Sequence, residues 1–207
     1  MNRLIDLKEV KVCWDSVSAY SNSELINNEL LTFPPLLQER ILKYPDNNER
    51  KLRILGKIML RNILIDMGFE HLSSLEQIKF TEKNKPYFEM PFDFSIAHSG
   101  ELAICAVAIN YKIGVDIELI QPIEENNYHD YFSDLEIKKL SRGNKDLFFQ
   151  LWTKKEALAK ATGMGIFFPF KETNILEDSI LFENENFIFQ ELSVGTEYIG
   201  TLCKSEN

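Results

Sequence analysis

Histidine and cysteine are scarce in this 207-residue sequence, and basic side chains are outnumbered by acidic ones. Cys13, Cys105 and Cys203 stand far apart without a CxxC pair, and the three histidines are equally scattered. That spread argues against a zinc site, which needs clustered Cys and His ligands, and it fits a reducing compartment. No stretch approaches the roughly 20 apolar residues of a membrane-spanning helix, and MNRLIDLKEV lacks the apolar centre of a signal peptide. A cytoplasmic protein with no membrane role is therefore expected. With 23 Lys and Arg against 32 Asp and Glu, the formal charge is −9. General nucleic-acid binding, which relies on cations that neutralise phosphates, is disfavoured. A locally basic pocket for a phosphorylated small molecule remains compatible with that balance.

What the sequence does contain is enough apolar material, 44% of residues, to bury one large core or two small ones. There is no low-complexity segment and no short repeat. VKVCWDSV (10–17) predicts a first strand. PPLLQERILKY predicts a short helix with proline at its entry. NNERKLRILGKIMLRNILIDMG predicts a long helix with Asn47 or Asn48 as N-cap and Gly68 as its stop, because Leu52, Leu55, Met59, Ile63 and Met67 recur at helical spacing. IKFTEKNKPYF predicts a strand and turn, FDFSIAHSGELAICAVAI two strands broken at His98–Gly100, and YHDYFSDLEIKKL a helical stretch. DLFFQLWTKKEALAKATG predicts a second long helix ending at Gly163, and the C-terminal third predicts strands. Each long helix leads to a strand preceded by a small residue and a glycine, SGELAICAVA and VGTEYIGTLC, a weak internal symmetry.

GVDIELI (114–120) is the segment with the most evident chemistry. In a strand, Asp116 and Glu118 share one face while Val115, Ile117 and Leu119 take the other. Neighbouring carboxylates repel unless water or a cation separates them. Two readings are open: a solvated acidic face, or a Mg²⁺ site in which one or two carboxylates act with substrate phosphates. On the second long helix Leu147, Leu151 and Leu158 share the core face, and Glu156 and Lys160 lie nearly opposite, one turn apart. They read either as a surface pair contributing about 0.2–0.5 kcal/mol, or as a carboxylate and a cation aimed into a cleft. Lys85, before Pro86, sits in an extended turn. His98 sits where a buried strand breaks. Each has a plain structural reading.

Taken together, KP at 85–86, HSG at 98–100, GVDIE at 114–118, FSDLE at 132–136 and WTKKEALAK at 152–160 resemble the phosphopantetheinyl transferases, specifically the larger single-chain type related to the surfactin-activating enzyme. GxDxE followed by WxxKEAxxK is the specific part of that resemblance. It implies an α/β (α+β) fold of two similar halves, placed here at 1–109 and 110–207, related by a pseudo-twofold axis with the active site between them. It also implies transfer of the 4′-phosphopantetheine arm of coenzyme A to a serine of an apo acyl or peptidyl carrier protein, with release of 3′,5′-ADP. Asp116, Glu118 and Glu156 would hold Mg²⁺, Glu156 would serve as base, and Lys160 would offset charge on the phosphoryl group. Lys85, His98 and Lys155 would hold phosphate oxygens of coenzyme A. The 3′-phosphate is assigned to the first long helix, with Lys51 chosen among Arg50, Lys51 and Arg53. Glu136 receives no role.

Two positions depart from the family pattern. Ala97 stands where many relatives have serine, and Asn84 where glycine is common. The alternative function is a non-catalytic module that binds coenzyme A or a carrier protein. A monomer is expected, docking its carrier through an apolar patch drawn from Phe132, Met164, Phe167 and Phe168.

Overall fold

The computed structural model describes residues 3–7, 10–20, 23–122, 129–140 and 144–206. Its contacts define two compact units, Met1–Thr81 with Pro86–Asn110, and Glu82–Lys85 with Tyr111–Asn207. Every strand pairing is antiparallel, so the chain is mixed α+β, with helices laid on sheets rather than alternating with parallel strands.

The first unit has a four-stranded sheet in the order β1 (Arg3–Leu7), β2 (Val10–Ser16), β6 (Leu102–Ile109), β5 (Phe92–Ser99). Strand β6 is the run of small and apolar residues LAICAVAI, and Ala103 to Ala108 are wholly buried. A continuous apolar run rather than an alternating one is what a strand covered on both faces requires. Helices α1 (Ser23–Leu31), α2 (Pro35–Leu42) and α3 (Asn47–Asp66) complete the unit. Leu52, Leu55, Met59 and Ile63 of α3 are buried, as their helical spacing predicts, and Met67 packs partly buried beside them. The N-cap of α3 is Asp46 rather than Asn47 or Asn48: its side chain accepts a hydrogen bond from the Glu49 N–H at 2.8 Å. An Asp at this position satisfies an orphan donor and also places negative charge at the positive end of the helix. A short hairpin, β3 (Lys79–Phe80) with β4 (Pro86–Tyr87), has its tip, residues 82–85, in the second unit.

The second unit has its own sheet, ordered β7 (Ile113–Leu119), β10 (Tyr198–Ser205), β9 (Glu185–Leu192), β8 (Ser179–Phe182). Helix α5 (Lys145–Thr162) lies on β7 and β10. Asn144 caps its start and Gly163, at φ +70°, ends it in the left-handed conformation that glycine adopts most readily. The shorter α4 (Asp134–Leu140) precedes it. The stretch predicted helical from Tyr128 is thus helical from Asp134, and Tyr128 itself lies outside the described residues.

The weak symmetry of the sequence has a counterpart in the topology. In the first unit β2 is followed by α3 and the β5–β6 hairpin, with β6 returning beside β2. In the second, β7 is followed by α5 and the β9–β10 hairpin, with β10 returning beside β7. Each unit has its own buried apolar core. Among the described residues no helix is long and apolar enough to cross a membrane.

Candidate active site

The site starts from a glycine. A Cβ at Gly114 would lie 1.8 Å from the Ala157 carbonyl oxygen and 2.6 Å from the Ala161 nitrogen. The backbone of α5 therefore rests directly on β7, at a distance only glycine permits. Because strand side chains alternate, the face that carries Gly114 also carries Asp116 and Glu118, and all three lie under α5. Val115 and Ile117, on the other face, are fully buried.

Under the helix the charges gather. Lys160 Nζ donates to Asp116 Oδ1 at 2.6 Å, while Asp116 Oδ2 is buried without a hydrogen-bond partner. Asp116 is only 5% exposed. Burial, the largest influence, pushes its carboxyl up to about 7; Lys160 opposes that rise, and Glu118 and Glu156 add to it. Glu156 is also held above the usual carboxylate range, first by burial and further by Glu118, against the pull of Lys160. Burial disfavours the charge on Lys160, but Asp116, Glu156 and Glu118 together outweigh it and hold the ammonium above its ordinary value. Lys160 thus answers to the strand carboxylate across the helix–strand contact, rather than serving as a solvated surface partner of Glu156.

Around this group is a second layer that the sequence left without a role. Trp152 Nε1–H donates to Glu118 Oε1 at 3.2 Å. Glu136 is wholly buried and closes a reciprocal cap at the start of α4. Its Oε2 accepts from the Ser133 N–H at 2.7 Å, and its own N–H reaches Ser133 Oγ at 3.4 Å. The same carboxylate pairs with Lys155 Nζ at 2.9 Å, and its Oε1 accepts from the Ile175 N–H. The Ser-x-x-Glu spacing of FSDLE was a readable signal for the cap. The ion pair to Lys155 was not.

Lys155, expected at a coenzyme A phosphate, lies elsewhere. It is 0% exposed, and its ammonium donates to the carbonyls of Phe170, at 2.6 Å, and Thr173 as well as pairing with Glu136. Three partners match the three protons of an ammonium, so none is left for a ligand. The helical wheel held this signal: Lys155 is four residues after Leu151 and three before Leu158, on the core stripe.

Lys85 donates to the Ala161 carbonyl at 3.1 Å, near the negative end of α5. Asn84 beside it adopts φ +65°, a left-handed conformation that Asn tolerates better than most residues, which accounts for Asn where glycine is common. His98 and Lys51 belong to the first unit. There His98 Nε2 lies 4.0 Å from Glu49, which also holds Arg53 at 3.2 Å, and the Arg53 guanidinium stacks on Tyr44 at 3.5 Å. Arg50 donates to the Tyr44 and Leu42 carbonyls. Of the three basic candidates on α3, Arg53 is thus the one joined to His98, through Glu49, and Lys51 is not. Ala97 is buried in β5, and the pleat turns its side chain away from the face of His98.

Asp116, Glu118 and Glu156 fit a hard cation by donor chemistry. The unpartnered, buried Asp116 Oδ2 is an acceptor in want of a positive charge, and each carboxyl raises the others' affinity for one. Among the described residues no group of three or more Asp, Glu, His or Cys side chains is arranged to hold a metal ion by itself.

Residues 112–201 match the sequence model of the 4′-phosphopantetheinyl transferase superfamily. The chain is similar to the 4′-phosphopantetheinyl transferase gsp of Aneurinibacillus migulanus, at 30% identity over 64% of this chain and 56% of the relative. It is 37% identical to psf-1 of Bacillus pumilus over 55% of this chain and 50% of that one. With Sfp of Bacillus subtilis (strain 168) it shares 27% identity over 72% and 69% of the two chains. The chain thus spans about half the length of the first two of these relatives. GVDIE and WTKKEALAK both fall inside the matched span, on the strand and helix that Gly114 brings together, and it is this span, residues 112–201, that is similar to the 4′-phosphopantetheinyl transferase superfamily.

Proposed function

We propose that this protein transfers 4′-phosphopantetheine from coenzyme A to a serine hydroxyl of an apo carrier protein, in the manner of a holo-[acyl-carrier-protein] synthase. The observation that carries the reading is the pair of Asp116 on β7 with Lys160 on α5, close enough to Glu118 and Glu156 for their charges to act on it. Asp116, Glu118 and Glu156 are the residues to hold Mg²⁺. The ion would supply positive charge to the pyrophosphate of coenzyme A.

Glu156 takes the proton of the carrier serine. Burial holds its carboxyl above the usual carboxylate range, which strengthens it as a proton acceptor. The serine oxygen forms a bond to the phosphorus attached to pantetheine, and the bond from that phosphorus to the bridging oxygen breaks, releasing 3′,5′-ADP. Lys160, kept protonated by its carboxylate neighbours, faces the charge that develops on the phosphoryl oxygens. Lys155 and Glu136 belong to the scaffold.

The deciding experiment incubates the protein with coenzyme A, Mg²⁺ and a panel of apo carrier proteins, followed by intact-mass spectrometry. A carrier that gains a phosphopantetheine mass, and loses that gain with chelator, supports transfer. Coenzyme A binding without any mass gain across the panel would move the assignment to a non-catalytic binding module.

For docking, the carrier meets an apolar knob on the turn after α5. Ile166 is 90% exposed and Phe167 is 67% exposed, and Lys83 lies 6.0 Å from the Phe167 ring. Phe132 and Phe168, two of the four residues expected on this patch, are core residues instead. Replacing Ile166 and Phe167 together by Ala should raise KM for the carrier about 10-fold, a loss of about 1.4 kcal/mol, while KM for coenzyme A stays constant. An unchanged carrier KM would place docking elsewhere. Apolar docking also predicts a shallow dependence of carrier binding on salt.

A further inference from the structure

We infer that Trp152 is a positioning residue for the cation site, its indole N–H fixing one oxygen of Glu118 so that the carboxylate is presented in a single orientation. The inference rests on the reading of Asp116, Glu118 and Glu156 as ligands of a divalent cation.

Glu118 stands near the end of β7, half-buried, on a side chain with three rotatable bonds. Such a carboxylate loses rotamer freedom when it takes up an ion unless something has already fixed it. The hydrogen bond from Trp152 Nε1 to Oε1, at 3.2 Å, is suited to that task. An indole N–H is a donor only, so it cannot reverse its role, and being neutral it does not compete with a cation for the negative charge as a lysine would.

The ring that carries this donor is itself held on several sides. Phe170 stacks on it at 5.9 Å with an interplanar angle of 16°. Tyr131 meets it edge-on at 5.5 Å, and Phe132 lies at 6.3 Å. Phe170 in turn is held by its own carbonyl, which accepts from Lys155. Lys155 is anchored by Glu136, which is fastened to Ser133 and Ile175. A buried ion pair is a poor source of stability compared with apolar packing, but it fixes geometry, since any shift leaves a charge unpartnered. The buried pair, the segment from Phe170 to Ile175, the stacked ring and the metal carboxylate therefore form one connected support. This gives Glu136, Lys155 and Trp152, all lying in the family's characteristic segments, a shared task.

The test titrates Mn²⁺ into metal-free protein and follows the electron paramagnetic resonance signal of the free ion, so that no turnover is required. Trp152→Phe keeps an aromatic ring and removes the N–H. Its Kd for Mn²⁺ should rise about 10-fold or more, in line with the loss of a residue that orients a metal ligand. A variant with benzothienylalanine at position 152 keeps the full ring volume and lacks the N–H, and should show the same rise with an unchanged melting temperature. In a Glu118→Gln background, Trp152→Phe should produce no further loss. If wild type binds Mn²⁺ and both position-152 variants bind equally well, or if the two substitutions are additive, Trp152 does not act through Glu118. If wild type itself takes up no Mn²⁺, the reading of the carboxylates as a cation site fails, and this inference with it.

Discussion

Replacing Gly114 by Ala should unfold or uncouple the second unit, lowering its stability by roughly 3 kcal/mol or more and transfer by at least about 100-fold. The added methyl would meet the Ala157 carbonyl at 1.8 Å and the Ala161 nitrogen at 2.6 Å. Both are backbone atoms of a helix, so no rotamer change can relieve the overlap. Helix α5 would have to rise from β7 by more than an ångström, and Glu156 and Lys160 would rise with it, away from Asp116 and Glu118. Gly200→Ala is the matched control, since its methyl would meet Val194, the Asp116 carbonyl and Leu192 at 3.4–3.5 Å, ordinary contact distances. Urea denaturation of the two variants decides the matter. Equal stabilities would mean that the helix–strand contact tolerates expansion and that Gly114 does not set the spacing of the site.

Asp116→Asn should abolish transfer, by at least roughly 100-fold, and yet leave the metal-free protein more stable than wild type above pH 7. The sign follows from proton linkage. Asp116 is raised from 3.8 to about 7 in the fold, so between those values the folded state holds a proton that the unfolded chain has lost. Its favourable contribution is complete below about pH 4 and disappears as pH rises through about 7. Ionising it in the buried site then works against folding by up to roughly 4 kcal/mol, at about 1.4 kcal/mol per pKa unit. An asparagine never ionises and still offers an oxygen to Lys160, which keeps Glu156 and Glu118 as neighbouring charges. The variant and wild type should therefore melt together near pH 4 and separate, variant higher, toward pH 8. Adding Mg²⁺ should reverse the order, because a ligand that binds only the native wild-type site stabilises it by mass action. Melting curves across pH, with and without Mg²⁺, check both halves. A variant less stable than wild type at pH 8 without Mg²⁺ would show that the carboxylate is retained for structure.

These two residues differ in how stability and activity are expected to align. Gly114 favours both, by close packing. Asp116, once ionised, is expected to be unfavourable to the metal-free fold, a local conflict of the kind functional sites accept. Ordinary core residues nearby show no such conflict: Thr153 and Thr201, both buried, satisfy one another's hydroxyls at 2.8 Å.

Much of this protein was determined by sequence alone, and the reason is that local chemistry is periodic. The spacing of Leu52, Leu55, Met59 and Ile63 defined the buried face of α3, Gly163 defined the end of α5, and strand alternation put Asp116 and Glu118 on one side of β7. The Ser-x-x-Glu spacing of Ser133 and Glu136 held the cap of α4. Direction within a charged face was a different matter. Lys154 and Lys155 are neighbours of the same type, but one donates to Asp178 at an exposed contact and the other is sealed in the core against Glu136. Phe167 and Phe168 are neighbours too, one exposed and one buried. For Phe167 and Phe168 nothing within a few residues distinguishes the two, and for Lys154 and Lys155 the helical wheel separates a core position from an outer one without giving the partner of the buried ammonium. Their fates depend on partners distant in sequence, such as Thr173 for Lys155 and Asp178 for Lys154, which only the tertiary fold brings within reach.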